Sequence, residues 1–133
     1  MSRSLLTLGL LWASGTAWAQ VAPSPSAGDP VEGALLAEVC AACHALEPDG
    51  KHRWGPSLVG VVGRPVGAED YRYASYLRAR AEAGDRWTED ALRAWLVDSK
   101  ELAGSAGLRT KMPAQGLTGA EVDDLLSYLR TVK

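Results

Sequence analysis

Apolar residues recur with a helical period in two stretches of this chain. Val122, Leu125, Leu126 and Leu129 fall at i, i+3, i+4 and i+7, the stripe of an amphipathic helix packed on one side. Thr118-Gly119-Ala120-Glu121 reads as a capping box and fixes where that helix starts. Thr88-Glu89-Asp90 opens another helix, with Leu92, Trp95 and Leu96 on one face and Lys100 near its end, where a cation suits the helix dipole. Nearer the N-terminus, Asp29-Pro30-Val31-Glu32 combines an N-cap aspartate, a proline at the first helical position and an early acid. The spacing predicts a helix running from there to Cys40-Ala41-Ala42-Cys43-His44. A shorter helix is expected over Ser75 to Ala83, stopped at Gly84. Between Gly50 and Gly67, five glycines and two prolines make a long loop, which in so short a chain suggests wrapping around something. No segment carries a strand-like run. The expected fold is all-α, about four helices joined by long loops.

The first residues follow another logic. Arg3 gives a positive start, Leu5 to Trp12 an apolar stretch, and Ala17-Trp18-Ala19 a small-x-small cleavage site. This is the pattern of an export signal. The apolar stretch falls short of the ~20 residues a membrane span needs, and Ser14, Gly15 and Thr16 dilute it, so cleavage after Ala19 is expected over retention as an anchor. Residues 20–28, with Pro23, Ser24, Pro25 and Ser26, read as a flexible lead-in. What remains suffices for one small domain. The whole chain carries 14 basic and 16 acidic side chains, a net charge of −2. No basic block is interleaved with aromatics, so nucleic acid is not an expected partner.

Cys40-x-x-Cys43-His44 carries the chemistry. C-x-x-C-H is the attachment signature of a c-type haem: thiols one helical turn apart can join both vinyl groups of one porphyrin, and the adjacent imidazole can face the iron. Three other readings compete. A thioredoxin-type dithiol needs a βαβ context that is missing. Zinc needs four ligands, yet only Cys40, Cys43, His44 and His52 are available, in no common zinc spacing. A disulfide within one helical turn is geometrically awkward. Haem attachment also suits export, since thiols outside the cytoplasm otherwise oxidise.

With these motifs in place, the chain resembles the class I c-type cytochromes, soluble one-haem electron carriers, over a domain of residues 29–133. Gly55-Pro56-Ser57-Leu58, Gly60 and Gly63-Arg64 look like the family's loop beside the histidine ligand. The resemblance implies that the Pro56 carbonyl orients His44. It likewise implies that Arg64, Tyr73 and Trp87 serve the haem propionates, and that Met112, in Thr110-Lys111-Met112-Pro113, is the sixth ligand to iron beside His44. Gly33 and Tyr128 match the family's crossing of first and last helices, though Leu36 or Ala37 stands where phenylalanine is usual. Trp95 stands where a tyrosine is common, so a hydroxyl contact to the methionine sulfur should be lost. The segment Glu101 to Arg109 is slightly longer than in many relatives.

The resemblance implies a periplasmic, monomeric carrier of single electrons, not an enzyme, with one haem c held through Cys40 and Cys43. Its partners would be a redox donor and acceptor, such as a membrane oxidase or reductase complex, without stable membrane insertion after signal cleavage. Two rivals stand beside it. One is a dedicated cytochrome subunit of a periplasmic dehydrogenase; the other is a ligand-binding or peroxidatic haem protein in which Met112 leaves the iron. Lys51, Arg53, Arg109 and Lys111 either cluster at the haem edge to steer an acidic partner or are scattered solvated charges. His52 reads as a solvent-exposed loop residue.

Overall fold

Four helices form in the order α1 (Pro30–Cys40), α2 (Ser75–Glu82), α3 (Glu89–Ser105) and α4 (Gly119–Leu129). This computed structural model describes residues 27–50 and 54–133; the predicted signal, residues 20–26 of the lead-in, and Lys51, His52 and Arg53 lie outside them. Among the described residues there is no sheet, only an isolated bridge between Pro65 and Arg86. No helix among them is long and apolar enough to cross a membrane.

The predicted start signals act as such. Asp29 caps α1, its Oδ1 accepting from the Val31 N–H at 2.8 Å. At α4 the full capping box forms: Glu121 N–H donates to Thr118 Oγ1, and Thr118 N–H donates to Glu121 Oε2 at 2.7 Å. At α3 the cap is one-sided: Ala91 N–H donates to Thr88 Oγ1 at 3.1 Å.

Helix α1 crosses α4 at Gly33. A Cβ placed there would lie 2.0 Å from the Asp124 carbonyl oxygen and 2.9 Å from Tyr128 Cβ, so only a hydrogen fits between the backbones. Ala37, one turn on, is completely buried, and Leu36 packs beside it. At the position where phenylalanine is usual in the family, the crossing is thus filled by Leu36 and Ala37. Gly28 is already pressed on the Asp123 backbone, and Asp29 N–H donates to Asp124 Oδ1 at 2.7 Å. The stripe predicted on α4, Val122, Leu125, Leu126 and Leu129, is buried with Ala37, Val61, Leu92 and Leu96 in one cluster. Arg130 grips Glu89 with two hydrogen bonds of 2.6 and 2.7 Å, tying the end of α4 to the start of α3.

Helix α3 runs past the expected end near Lys100. At Asp98 the backbone leaves the helical region (φ −159°, ψ 93°), and its carboxylate then accepts from the Lys100 and Glu101 N–H groups at 3.0 and 2.9 Å. Asp98 therefore interrupts one helical segment and caps the next. Ala103 and Leu102 of that continuation close over Tyr76 and Trp95, which the sequence pattern, ending at Lys100, does not reveal.

Gly33→Ala should destabilise the haem-loaded protein by about 3 kcal/mol in guanidinium unfolding, the upper range for overpacking a tight contact. A loss below about 1 kcal/mol would mean that the two backbones can separate at little cost.

Candidate functional site

The helices and the loops between them surround a cavity of about 380 Å³. All eight residues singled out from the sequence, Cys40, Cys43, His44, Pro56, Arg64, Tyr73, Trp87 and Met112, line it. The rest of the wall is largely apolar: Leu58, Val61, Leu92, Leu96, Leu125 and Leu129 among others.

Local structure accounts for each contributor. Helix α1 winds on into a turn in which the Cys43 and His44 N–H groups both donate to the Cys40 carbonyl, at 3.0 and 2.9 Å. That turn presents both thiols and the imidazole. His44 Nδ1 lies 2.6 Å from the Pro56 carbonyl, and since a carbonyl only accepts, Nδ1 carries the proton and Nε2 keeps its lone pair. Burial pushes the His44 pKa down, with the Pro56 contact opposing; burial likewise raises that of the Cys40 thiol. Gly55 lets the ring lie flat against the chain, because a Cβ there would come within 2.4 Å of His44 Cε1.

A second group gathers through backbone pairing. Gly63 N–H donates to the Trp87 carbonyl at 2.7 Å, and Trp87 N–H to the Arg64 carbonyl at 2.9 Å, which sets Arg64 beside Trp87. The guanidinium donates to the carbonyls of Val59 (3.0 Å) and Ser57 (2.6 Å) and to Glu69 Oε1 (2.9 Å). Its Nε is buried without a partner among the described residues. Burial raises the pKa of the nearby Tyr73 phenol. Glu69 was not foreseen; its side chain reaches back five residues to an arginine whose own role came from resemblance.

Met112 is held at three points. Trp95 Nε1–H donates to its Sδ at 3.1 Å, Ser99 Oγ to its carbonyl at 3.1 Å, and its own N–H to Thr110 Oγ1 at 3.1 Å. The hydroxyl contact is absent, as expected with tryptophan at this position, and the indole N–H occupies its place at the sulfur. Ser99, only 1% exposed, escaped the sequence reading, although a serine one turn after Trp95 on an apolar face was a usable signal.

Across the mouth, Tyr71 donates to the Trp54 carbonyl at 2.6 Å. Lys111 sits 5.3 Å from the Tyr71 ring centroid and donates to the Arg72 carbonyl. Lys111 is thus turned onto the protein. Among the described residues, which exclude His52, no three His, Cys, Asp or Glu side chains converge as a metal-ion site.

Residues 31–133 match the family model described as cytochrome c. The chain belongs to the cytochrome c family. It is 36% identical to cytochrome c2 iso-1 of Rhodospirillum centenum over 115 residues, covering 78% of this chain and 96% of that protein. With cytochrome c2 of Rhodospirillum rubrum the identity is 31% over the full length of both. The solved structure of cytochrome c2 from Rhodospirillum centenum superposes with a TM-score of 0.69 at 32% identity, covering 79% of this chain and 98% of that one. Membership brings one covalently attached haem c, for which Cys40 and Cys43 are the chain's two cysteines, and makes the protein an electron carrier, not an enzyme. The residues present fit that group: an apolar hollow, two thiols on one turn, an imidazole with a free lone pair, a thioether, and for a carboxylate a buried guanidinium N–H without a partner among the described residues.

Gly55→Ala should turn the His44 ring off the Pro56 carbonyl. In NMR of the haem-loaded protein, the His44 Nδ1–H proton should lose its protection from exchange; unchanged protection would show that the glycine is dispensable.

Proposed function

We propose that the chain is a periplasmic one-electron carrier in which His44 and Met112 would be the protein's two ligands to the haem iron, its leader of residues 1–19 removed on export. The observation that carries this reading is the meeting, at one apolar cavity, of an oriented imidazole lone pair and a thioether held at three points. When bound, haem c supplies a ferric/ferrous couple for single electrons.

The chain's residues then do the following. Cys40 and Cys43 anchor the group covalently, so that apolar packing need not retain it alone. Pro56 holds the Nδ1 proton of His44, fixing the tautomer and strengthening the ring as a donor. Met112 offers a soft, neutral sulfur, which favours the ferrous state and a positive potential. The buried Nε of Arg64, with Tyr73 and Trp87, meets the carboxylates, which must be paired or hydrogen-bonded where water is scarce. Leu96, Leu125 and Leu129 keep water out.

A second reading, the dedicated subunit of a periplasmic dehydrogenase, draws on one observation. Val31 and Leu35, one turn apart on α1, are 67% and 57% exposed, outside the cavity that Val39 lines. Isolation from its native host in a stable complex with a dehydrogenase would favour that reading; isolation as a monomer would favour the diffusing carrier.

Haem should stay with the polypeptide in denaturing acid and detergent. The ferric protein should show the weak far-red sulfur-to-iron band and resist cyanide. Met112→Ala should abolish that band, lower the potential and admit cyanide; identical spectra for variant and wild type would remove Met112 from the iron.

A further inference from the structure

We propose that a second hollow, between α2 and α3, is a binding site for a compact aromatic carboxylate whose occupancy is felt at the haem. The site needs only haem in the larger cavity, whichever residues ligate the iron.

The hollow measures about 190 Å³. Ala91 and Ala94 of α3 line it, three positions apart and so on one face, and their small side chains leave the space in front of α2 unfilled. Its floor is aromatic, formed by Tyr76, Trp87 and Trp95. Tyr76 stacks on Trp95 (5.5 Å between centroids, 13° between planes), and Trp87 packs on Trp95 at 5.8 Å. Braced on two sides, Trp95 resists collapse into the gap. A hollow of about 150 Å³ takes a benzene molecule, so a single ring fits here.

The rim carries the charge. Arg80 and Arg86, both exposed, line the hollow, and among the described residues no acidic side chain does. The turn after α2 brings the two together. Gly84, at φ +77°, reverses the chain, Asp85 N–H donates to the Arg80 carbonyl at 3.1 Å, and Val66 N–H donates to the Asp85 carbonyl at 2.8 Å. The Asp85 carboxylate lies 2.7 Å from Arg80 Nε, and Arg86 Nη1 donates to the Gly63 carbonyl at 2.8 Å. A guanidinium has five N–H donors, so each arginine is oriented by one contact and keeps donors for a further acceptor. Two guanidiniums against one carboxylate leave the rim a positive charge in excess.

Such a hollow selects a ligand with two unlike ends. A guanidinium pairs with a planar carboxylate through two parallel hydrogen bonds, and an aromatic ring can lie against the indole and phenol rings, out of water. An inorganic anion would answer the arginines and leave the aromatic floor wet. A neutral aromatic would cover the floor and leave the charge unanswered. An aromatic carboxylate does both. Leu77, Trp87 and Trp95 line this hollow and the haem cavity alike, so the two share a wall. A carboxylate bound on one side of it brings a negative charge towards the haem, which favours the ferric state and lowers the potential.

The test is a titration of the reduced, haem-loaded protein with benzoate, followed through the NMR methyl signals of Ala91, Ala94 and Leu102, with the potential measured at each concentration. The signals should shift and saturate, and the potential should fall over the same concentrations. Benzyl alcohol, a ring without the charge, and inorganic phosphate, a charge without the ring, should each bind about tenfold more weakly or worse. Arg86→Gln should weaken benzoate about tenfold, the scale of one lost charge-assisted hydrogen bond. Ala94→Leu puts a good helix former into the hollow; it should abolish binding and leave the potential without benzoate at its wild-type value, and it tests the site even where Arg86→Gln does not fold. Absence of a saturating shift overturns the site, as does benzoate binding that survives Ala94→Leu. Phosphate or benzyl alcohol binding as tightly as benzoate overturns the ligand class, and benzoate that binds without moving the potential overturns the coupling to the haem. None of these outcomes touches the ligation of the iron by His44 and Met112, which the far-red band tests separately.

Discussion

The side chains of this protein do not fill its own core. Helices α1, α3 and α4 and every long loop give residues to one hollow of about 380 Å³, and the buried cluster of Val61, Leu92, Leu96, Leu125 and Leu129 forms part of its wall. Most of its lining is apolar, so a haem seated there takes that surface out of water. The haem is thus a structural member as well as the redox centre. That constraint explains why so much of the chain is loop: the long connections line the hollow, and they are pinned by backbone bonds such as Gly63 to Trp87 and Gly60 to Val132.

The two ends of that hollow are held by unlike means. Beside His44 the restraint is backbone and steric: one carbonyl from Pro56 and the bare Cα of Gly55 leave the ring a single orientation. Beside Met112 the restraint comes from side chains of α3, Trp95 and Ser99, on either side of the Asp98 break. A backbone restraint is insensitive to substitution elsewhere, whereas one built on side chains varies with each residue. The geometry on the methionine side therefore depends on which side chains α3 carries.

Much of this was legible in the sequence, because its signals are local. Capping residues, helical periodicity and Cys40-x-x-Cys43-His44 each act over one or two turns, and the helices and attachment turn appear where those signals stand. Resemblance supplied Pro56, Arg64, Tyr73, Trp87 and Met112, all of which line the cavity. What escaped depended on contacts between distant segments. Ser99 could be seen as polar on an apolar face, but its acceptor lies 13 residues on. Glu69 and Lys111 carry charges that a linear reading leaves in solvent, yet one is paired with Arg64 and the other turned onto Arg72. The run of α3 past Lys100 was hidden because Asp98 both ends a helix and starts one, and the sequence pattern records only the ending.

Helix α1 shows how little side-chain mass a decisive contact needs. Its inner face is Gly33 and Ala37, and its outer face carries the larger Val31 and Leu35. A helix docked through its smallest residues gains little from apolar area; it gains from proximity, since dispersion falls steeply with even a small gap. The backbones of α1 and α4 touch at Gly33, and that contact sets where α1 ends and hence where Cys40, Cys43 and His44 stand relative to the cavity. The position of the attachment turn is thereby governed by a residue without a side chain, seven positions upstream of the first thiol.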